Sequence, residues 1–218
     1  FENCSSLGSI CIPDSVVRMD SYAFYNCDAL GTVIIGDGLK TVSSHAFYDC
    51  DALSKLTIGD GVTSIEDSAF ASCDSLSNVI IGSSVTTIGT NAFGGTGSSS
   101  NSTGGYTYYK QYYGCSNLNS IVIPDSVRTI GSYAFSGSGL TSVTMGSGVT
   151  SIGSYAFAGC ENLANLYFGD GLTSIGTAAF GGCISLSKVV IPDSVTSISE
   201  GAFCGCTGMS SMTLGDSV

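Results

Sequence analysis

Residues 180–202, FGGCISLSKVVIPDSVTSISEGA, set the pattern that almost all of the chain repeats. Phenylalanine, usually as Ala-Phe, returns at positions 24, 47, 70, 93, 135, 157, 180 and 203, and Phe1 opens the series. A fixed period of this length predicts a solenoid, in which each repeat is a unit that cannot bury its apolar face alone. Counted from each Phe as zero, apolar residues return at offsets 3, 6, 9, 11, 15, 18 and 22. In one copy these are Phe24, Cys27, Leu30, Val33, Ile35, Leu39, Val42 and Ala46; in another, Phe180, Cys183, Leu186, Val189, Ile191, Val195, Ile198 and Ala202.

Local chemistry follows from those offsets. The apolar pair at 9 and 11 alternates with period two, which predicts a short strand with one face buried. Pro or Gly at offset 12, usually followed by Asp, predicts a turn. Offsets 14–18, as in SVTSI, predict a second extended segment, and the stretch from Ala-Phe to Cys predicts one helical or 3₁₀ turn. The expected fold is a repeat solenoid, mainly β with short helical or 3₁₀ turns, of about nine 23-residue repeats over residues 1–218.

Composition narrows the function. The net charge is −11 with only 6 Lys and Arg, scattered along the chain. Nucleic acid and anionic membrane surfaces both need clustered basic residues, so neither is an expected partner. No apolar run reaches the ~18 residues that span a bilayer, and no signal peptide is visible. Because the chain opens and stops in mid-repeat, it reads as a piece of a longer protein, open at both ends.

Two places depart from the period. Phe93 and Phe135 are 42 residues apart, an excess of 19 over one repeat. The extra residues, 94–112, form an insertion within the fifth repeat, in the run GGTGSSSNSTGGYTYYKQYY (94–113). Phe135 and Phe157 are 22 apart, with Ser138 where Cys is expected, which reads as a one-residue deletion absorbed by a turn.

The pattern IPDSVTSIxxxAFxGCxxLxxVxIP is met as IPDSVRTIGSYAFSGSGLTSVTM from Ile123 and IPDSVTSISEGAFCGCTGMSSMTL from Ile191. It resembles the BspA-like leucine-rich repeat family, over the whole chain except the insertion. The resemblance implies a leucine-rich-repeat-like right-handed coil, exported or displayed at a cell surface, with adhesion or host-protein binding as its role. It carries no catalytic residues to transfer and offers no role for the insertion.

Candidate sites are each matched by a plainer structural role. The column Cys4, Cys27, Cys50, Cys73, Cys115, Cys160, Cys183 and Cys206 could be bridged, but it also accepts Ser138 and suits a buried ladder of free thiols. Cys11 and Cys204 lie off it. His45 is the only histidine, and CxC at Cys204 and Cys206 is too little for zinc. No metal or other cofactor is expected. The turn column Asp14, Asp37, Asp60, Asp125, Asp170, Asp193 and Asp216 could hold Ca²⁺, but one Asp per coil supplies few oxygens. Each Asp closing its own turn is the simpler expectation. A carboxylate-based hydrolase is a remote alternative, because a line of Asp does not converge on a pocket.

Binding residues are therefore sought at the exposed strand offsets 8 and 10, in Lys55, Asn78, Asn165, Tyr167 and Lys188. They are sought also in the insertion, in Tyr106, Tyr108, Tyr109, Lys110, Tyr112 and Tyr113, since Tyr, Ser, Gly and Asn are the residues adaptable binding loops use. The plainer role for those rings is to cover the flank of the solenoid. Asn3-Cys4-Ser5 and Asn101-Ser102-Thr103 are glycosylation sequons. The expected function is a non-enzymatic surface or secreted module that binds a protein or glycan. The alternative is a passive spacer or stalk.

Overall fold

A computed structural model describes residues 1–95 and 114–218 of the chain. In chain order the strands are β1 (Ser9–Ile12), β2 (Thr32–Ile35), β3 (Thr41–Val42), β4 (Lys55–Ile58) and β5 (Ser64–Ile65). They continue with β6 (Asn78–Ile80), β7 (Thr87–Ile88), β8 (Ser120–Ile123), β9 (Thr129–Ile130), β10 (Ser142–Met145) and β11 (Ser151–Ile152). The last are β12 (Asn165–Tyr167), β13 (Ser174–Ile175), β14 (Lys188–Val190), β15 (Ser197–Ile198) and β16 (Ser211–Thr213).

Every pairing is parallel and joins consecutive coils at one register, as in Thr32↔Lys55 and Lys55↔Asn78. The two-residue strands form one sheet of seven, β3-β5-β7-β9-β11-β13-β15. The longer strands make the second face in three runs: β1-β2-β4-β6, β8-β10-β12 and β14-β16. The result is a parallel β-solenoid of about eight turns, the ninth phenylalanine opening a coil that stops at Val218.

The apolar offsets turn inward except in the last coil, where Met212 and Leu214 are exposed. Phe24 is 5% exposed and Cys27, Leu30, Val33, Val42 and Ala46 are 0% exposed. The phenylalanines stack in one file from Phe1 to Phe203, with centroids 5.0 to 5.3 Å apart and rings within 11° of parallel. Offset stacking adds about 0.5–1.5 kcal/mol per pair beyond area burial. The file runs on across the insertion: Phe93 stacks on Phe135 at 5.3 Å, and β7 pairs with β9 in register. The shortened repeat is also absorbed, since Leu140 is buried and Ser142 pairs with Ser120.

The expected helical or 3₁₀ turn is not formed: the described residues contain no helix of either kind. The reason lies two residues to either side of the Phe, where the backbone is left-handed in most coils: Tyr22 (φ 62°) and Asn26 (φ 55°), or His45 (φ 57°) and Asp49 (φ 59°). A left-handed residue swings alternate N–H groups out of the coil. The N–H groups of Tyr22, Phe24 and Asn26 donate to the carbonyls of Ser44, Ala46 and Tyr48 in the next coil, at 3.3, 2.8 and 2.9 Å. Each Phe thus sits in a third intercoil ladder, whose bonds recover the αL cost of order 1–3 kcal/mol.

Candidate binding face

The strand face is built by alternation. In β2, Val33 and Ile35 point inward, so Thr32 and Ile34 must point out. Repeated over the coils, this makes two outward rows. The offset-8 row contains Thr32, Lys55, Asn78, Ser120, Ser142, Asn165 and Lys188. Lys55 and Asn78 are register partners, while Asn165 and Lys188 lie farther along the same row, in β12 and β14. All four are exposed. They form a line rather than a pocket.

The offset-10 row is different in kind. Beside Thr57 and Thr144 it holds Ile34 (44% exposed), Ile80 (57%), Val122 (68%), Tyr167 (59%) and Val190 (66%). Of these, only Tyr167 was expected as a binding residue. The signal for the others is present in the sequence: in TVII (32–35), SIVI (120–123) and KVVI (188–191) apolar residues follow one another, and period two sends one of them outward.

Hydroxyls on the second segment are spent on the solenoid itself. Thr63, Thr86, Thr150 and Thr173 donate their Oγ1 hydrogens to carbonyls one coil earlier, at 2.9 to 3.0 Å. That face is structural. Tyr106, Tyr108, Tyr109, Lys110, Tyr112 and Tyr113 lie outside the described residues; of the described residues flanking them, Gly95 N–H donates to Ser136 O and Gly114 N–H to Gly137 O.

The Asp column does not close its own turns, contrary to expectation. Asp14 Oδ1 accepts from Asp37 N–H at 2.8 Å, Asp60 from Ser83 N–H at 2.7 Å, and Asp125 from the N–H and Oγ of Ser147 at 2.7 and 3.1 Å. Each of these carboxylates caps the turn of the following coil, 22 or 23 residues on. The bonds to Ser83 hold the Asp60 carboxyl below the usual carboxylate range. Among the described residues no three His, Cys, Asp or Glu side chains come together to hold a metal ion.

All ten cysteines are free thiols. Those of the column donate to the Phe carbonyl of the preceding coil: Cys50 to Phe24 O at 3.2 Å, Cys183 to Phe157 O at 3.3 Å. Burial pushes the Cys115 and Cys160 thiols up to about 12, so they are neither nucleophiles nor metal ligands.

Charge is uneven. Arg18 pairs with Asp20 at 2.8 Å, the one ion pair among the described residues. Lys40 Nζ donates to Gly61 O and Arg128 Nη1 to Asp125 O. At one corner partial burial holds the Asp49 and Asp74 carboxyls above the usual range, with Asp51 adding repulsion to both. An apolar cavity of about 350 Å³ beside Phe1 and Phe24 contains only Arg18 and Asp20 as charged groups. A second, more polar pocket is lined by Asp20 and Glu66 together with Arg18 and Lys40.

Comparison with known proteins agrees with this geometry. The family described as BspA type Leucine rich repeat region matches residues 1–105 and 105–218, in 6 copies. Among solved structures, the T. pallidum Leucine Rich Repeat protein is 28% identical with a TM-score of 0.68, covering 83% of this chain and 78% of its own. A leucine-rich repeat protein from Eubacterium ventriosum shares the fold at 23% identity and a TM-score of 0.65, over 92% of this chain and 59% of its own. A search of curated proteins gives no match.

Proposed function

Because this chain belongs to the BspA type leucine rich repeat family, we propose that it is a non-enzymatic binding module, displayed at a cell surface or secreted, that holds a protein partner on its strand face. The observation that carries this reading is the exposed apolar row Ile34, Ile80, Val122, Tyr167 and Val190. Solvent-facing strand positions can be filled by Thr and Ser without loss of the coil, as Thr57 and Thr144 do. Ile80 with Val122 and Tyr167 with Val190 lie on adjacent coils, and contiguous exposed apolar side chains mark interaction surfaces. One exposed aromatic ring on the row gives a glycan little to stack on. The surface setting rests on the family resemblance; no helix among the described residues is long and apolar enough to cross a membrane.

The test is a quantitative pull-down with the chain as bait, beside an Ile80→Ser/Val122→Ser/Val190→Ser variant. The reading requires a protein retained by the first and lost by the second. A spacer would retain nothing with either, an outcome the self-bonded hydroxyl face makes a real competitor. The insertion is proposed as a second contact: replacing Tyr106, Tyr108 and Tyr109 with Ser weakens retention and leaves the melting temperature unchanged. A lowered melting temperature would instead assign those rings to structure.

A further inference from the structure

The apolar row does not run alone. Three residues after five of its seven members the turn column follows: Ile34 and Asp37, Thr57 and Asp60, Val122 and Asp125, Tyr167 and Asp170, Val190 and Asp193; Ser83 follows Ile80 and Ser147 follows Thr144. Three residues of chain span at most ~10 Å, so an exposed carboxylate row flanks the apolar row along the face. Asp60, Asp125 and Asp193 each accept the next coil's N–H through Oδ1 and remain exposed. On the other flank, the offset-8 row, the only cations are Lys55 and Lys188.

Resting on the strand-face reading above, we propose that the partner segment is a basic amphipathic α-helix, laid along the apolar row with Lys or Arg reaching the carboxylate row. Spacing selects the helix. An α-helix rises ~5.4 Å per turn and coils repeat at ~4.8 Å, so one apolar residue per turn keeps step with one coil for about four turns. A strand laid the same way repeats on one face every ~6.8 Å and falls out of step within two coils. The helix is ~10–12 Å across, which brings long basic side chains on its flank within reach of the Asp row. A second copy of this chain is disfavoured, since each carries −11 and its apolar row has the same acidic flank.

The test uses a fluorescent Leu/Lys helix of about 16 residues with one apolar stripe, and a control with Glu for every Lys. Binding is read by anisotropy at low and high salt. Asp60→Asn/Asp125→Asn/Asp193→Asn keeps the Oδ1 acceptors, hence the turns, while removing three charges. Expected are binding of the Leu/Lys helix but not the control, at least tenfold weaker binding to the Asn variant at low salt, and loss of that difference in 0.5 M NaCl. Equal binding of the control, or no effect of the Asn changes, overturns the basic-helix proposal. The Ile80→Ser/Val122→Ser/Val190→Ser variant separates the two readings. If it abolishes protein retention while the charge changes do nothing, the face binds a partner of another chemistry; if it too changes nothing, the strand-face reading falls with the proposal.

Discussion

The Cys73 thiol donates to the carbonyl of Phe47, 3.1 Å away and one coil earlier. The column position is thus a hydrogen-bond donor as well as a small apolar filler, and Ser138, which takes the same place one repeat before Cys160, is a like-sized substitute. Cys73→Val removes the donor and leaves a buried carbonyl unpaired, at a cost of about 1–3 kcal/mol. Cys73→Ser should cost less. Urea unfolding of the two variants orders them, and equal losses would show that only volume matters at this position.

The same thiols give the chain a pH dependence on the alkaline side. Burial raises Cys115 and Cys160 to about 12, above the ~8.5 of an unfolded thiol. The folded state therefore holds protons that the unfolded chain releases. Their stabilising contribution is complete below ~8.5 and is lost as pH rises toward 12, at about 1.4 kcal/mol per pH unit per thiol. Denaturant midpoints between pH 8 and 11 should fall accordingly. At neutral pH a thiol reagent should modify exposed Cys11 and Cys204 first, with the buried thiols reacting only on unfolding.

Coil stacking leaves some turn glycines no room. A Cβ on Gly61 would fall inside the contact distance of the Asp37 carbonyl oxygen, whereas one on Gly8 meets nothing within 4 Å. Gly61→Ala should lower the stability by several kcal/mol, because two backbones must part. Gly8→Ala should change it by under ~1 kcal/mol. Thermal melts of the pair check this, and similar melting temperatures would contradict the close approach.

How the Asp column works can be checked with one variant and one ion. Asp125→Ala loses the bonds to the N–H and Oγ of Ser147 and should cost about 1–2 kcal/mol. Since the carboxylate serves the next turn, neither Ca²⁺ nor a chelator should move the melting temperature of the parent chain. A calcium-dependent rise would mean that the column binds the ion after all.

The contrast between Ile35 and Ile34 shows what could be read in advance. Ile35 belongs to a column repeated at every coil, so its burial follows from the period alone, as does that of Phe24, Cys27 and Leu30. Ile34 occupies a row that alternates between Ile, Thr, Val and Tyr, and no 23-residue column singles it out. Its exposure follows instead from period two within TVII, once Val33 and Ile35 are placed inside.

The 23-residue recurrence by itself determined the solenoid, its two extended segments and its inner file of phenylalanines. A side chain returning at a constant interval must return to the same place in a stack, and that place has to be dry if the residue is apolar. Intercoil geometry alone decided the left-handed residues beside the phenylalanines and which N–H each capping Asp accepts. Those depend on which group of one coil lies nearest a group of the next, and the spacing along a single chain does not contain that distance.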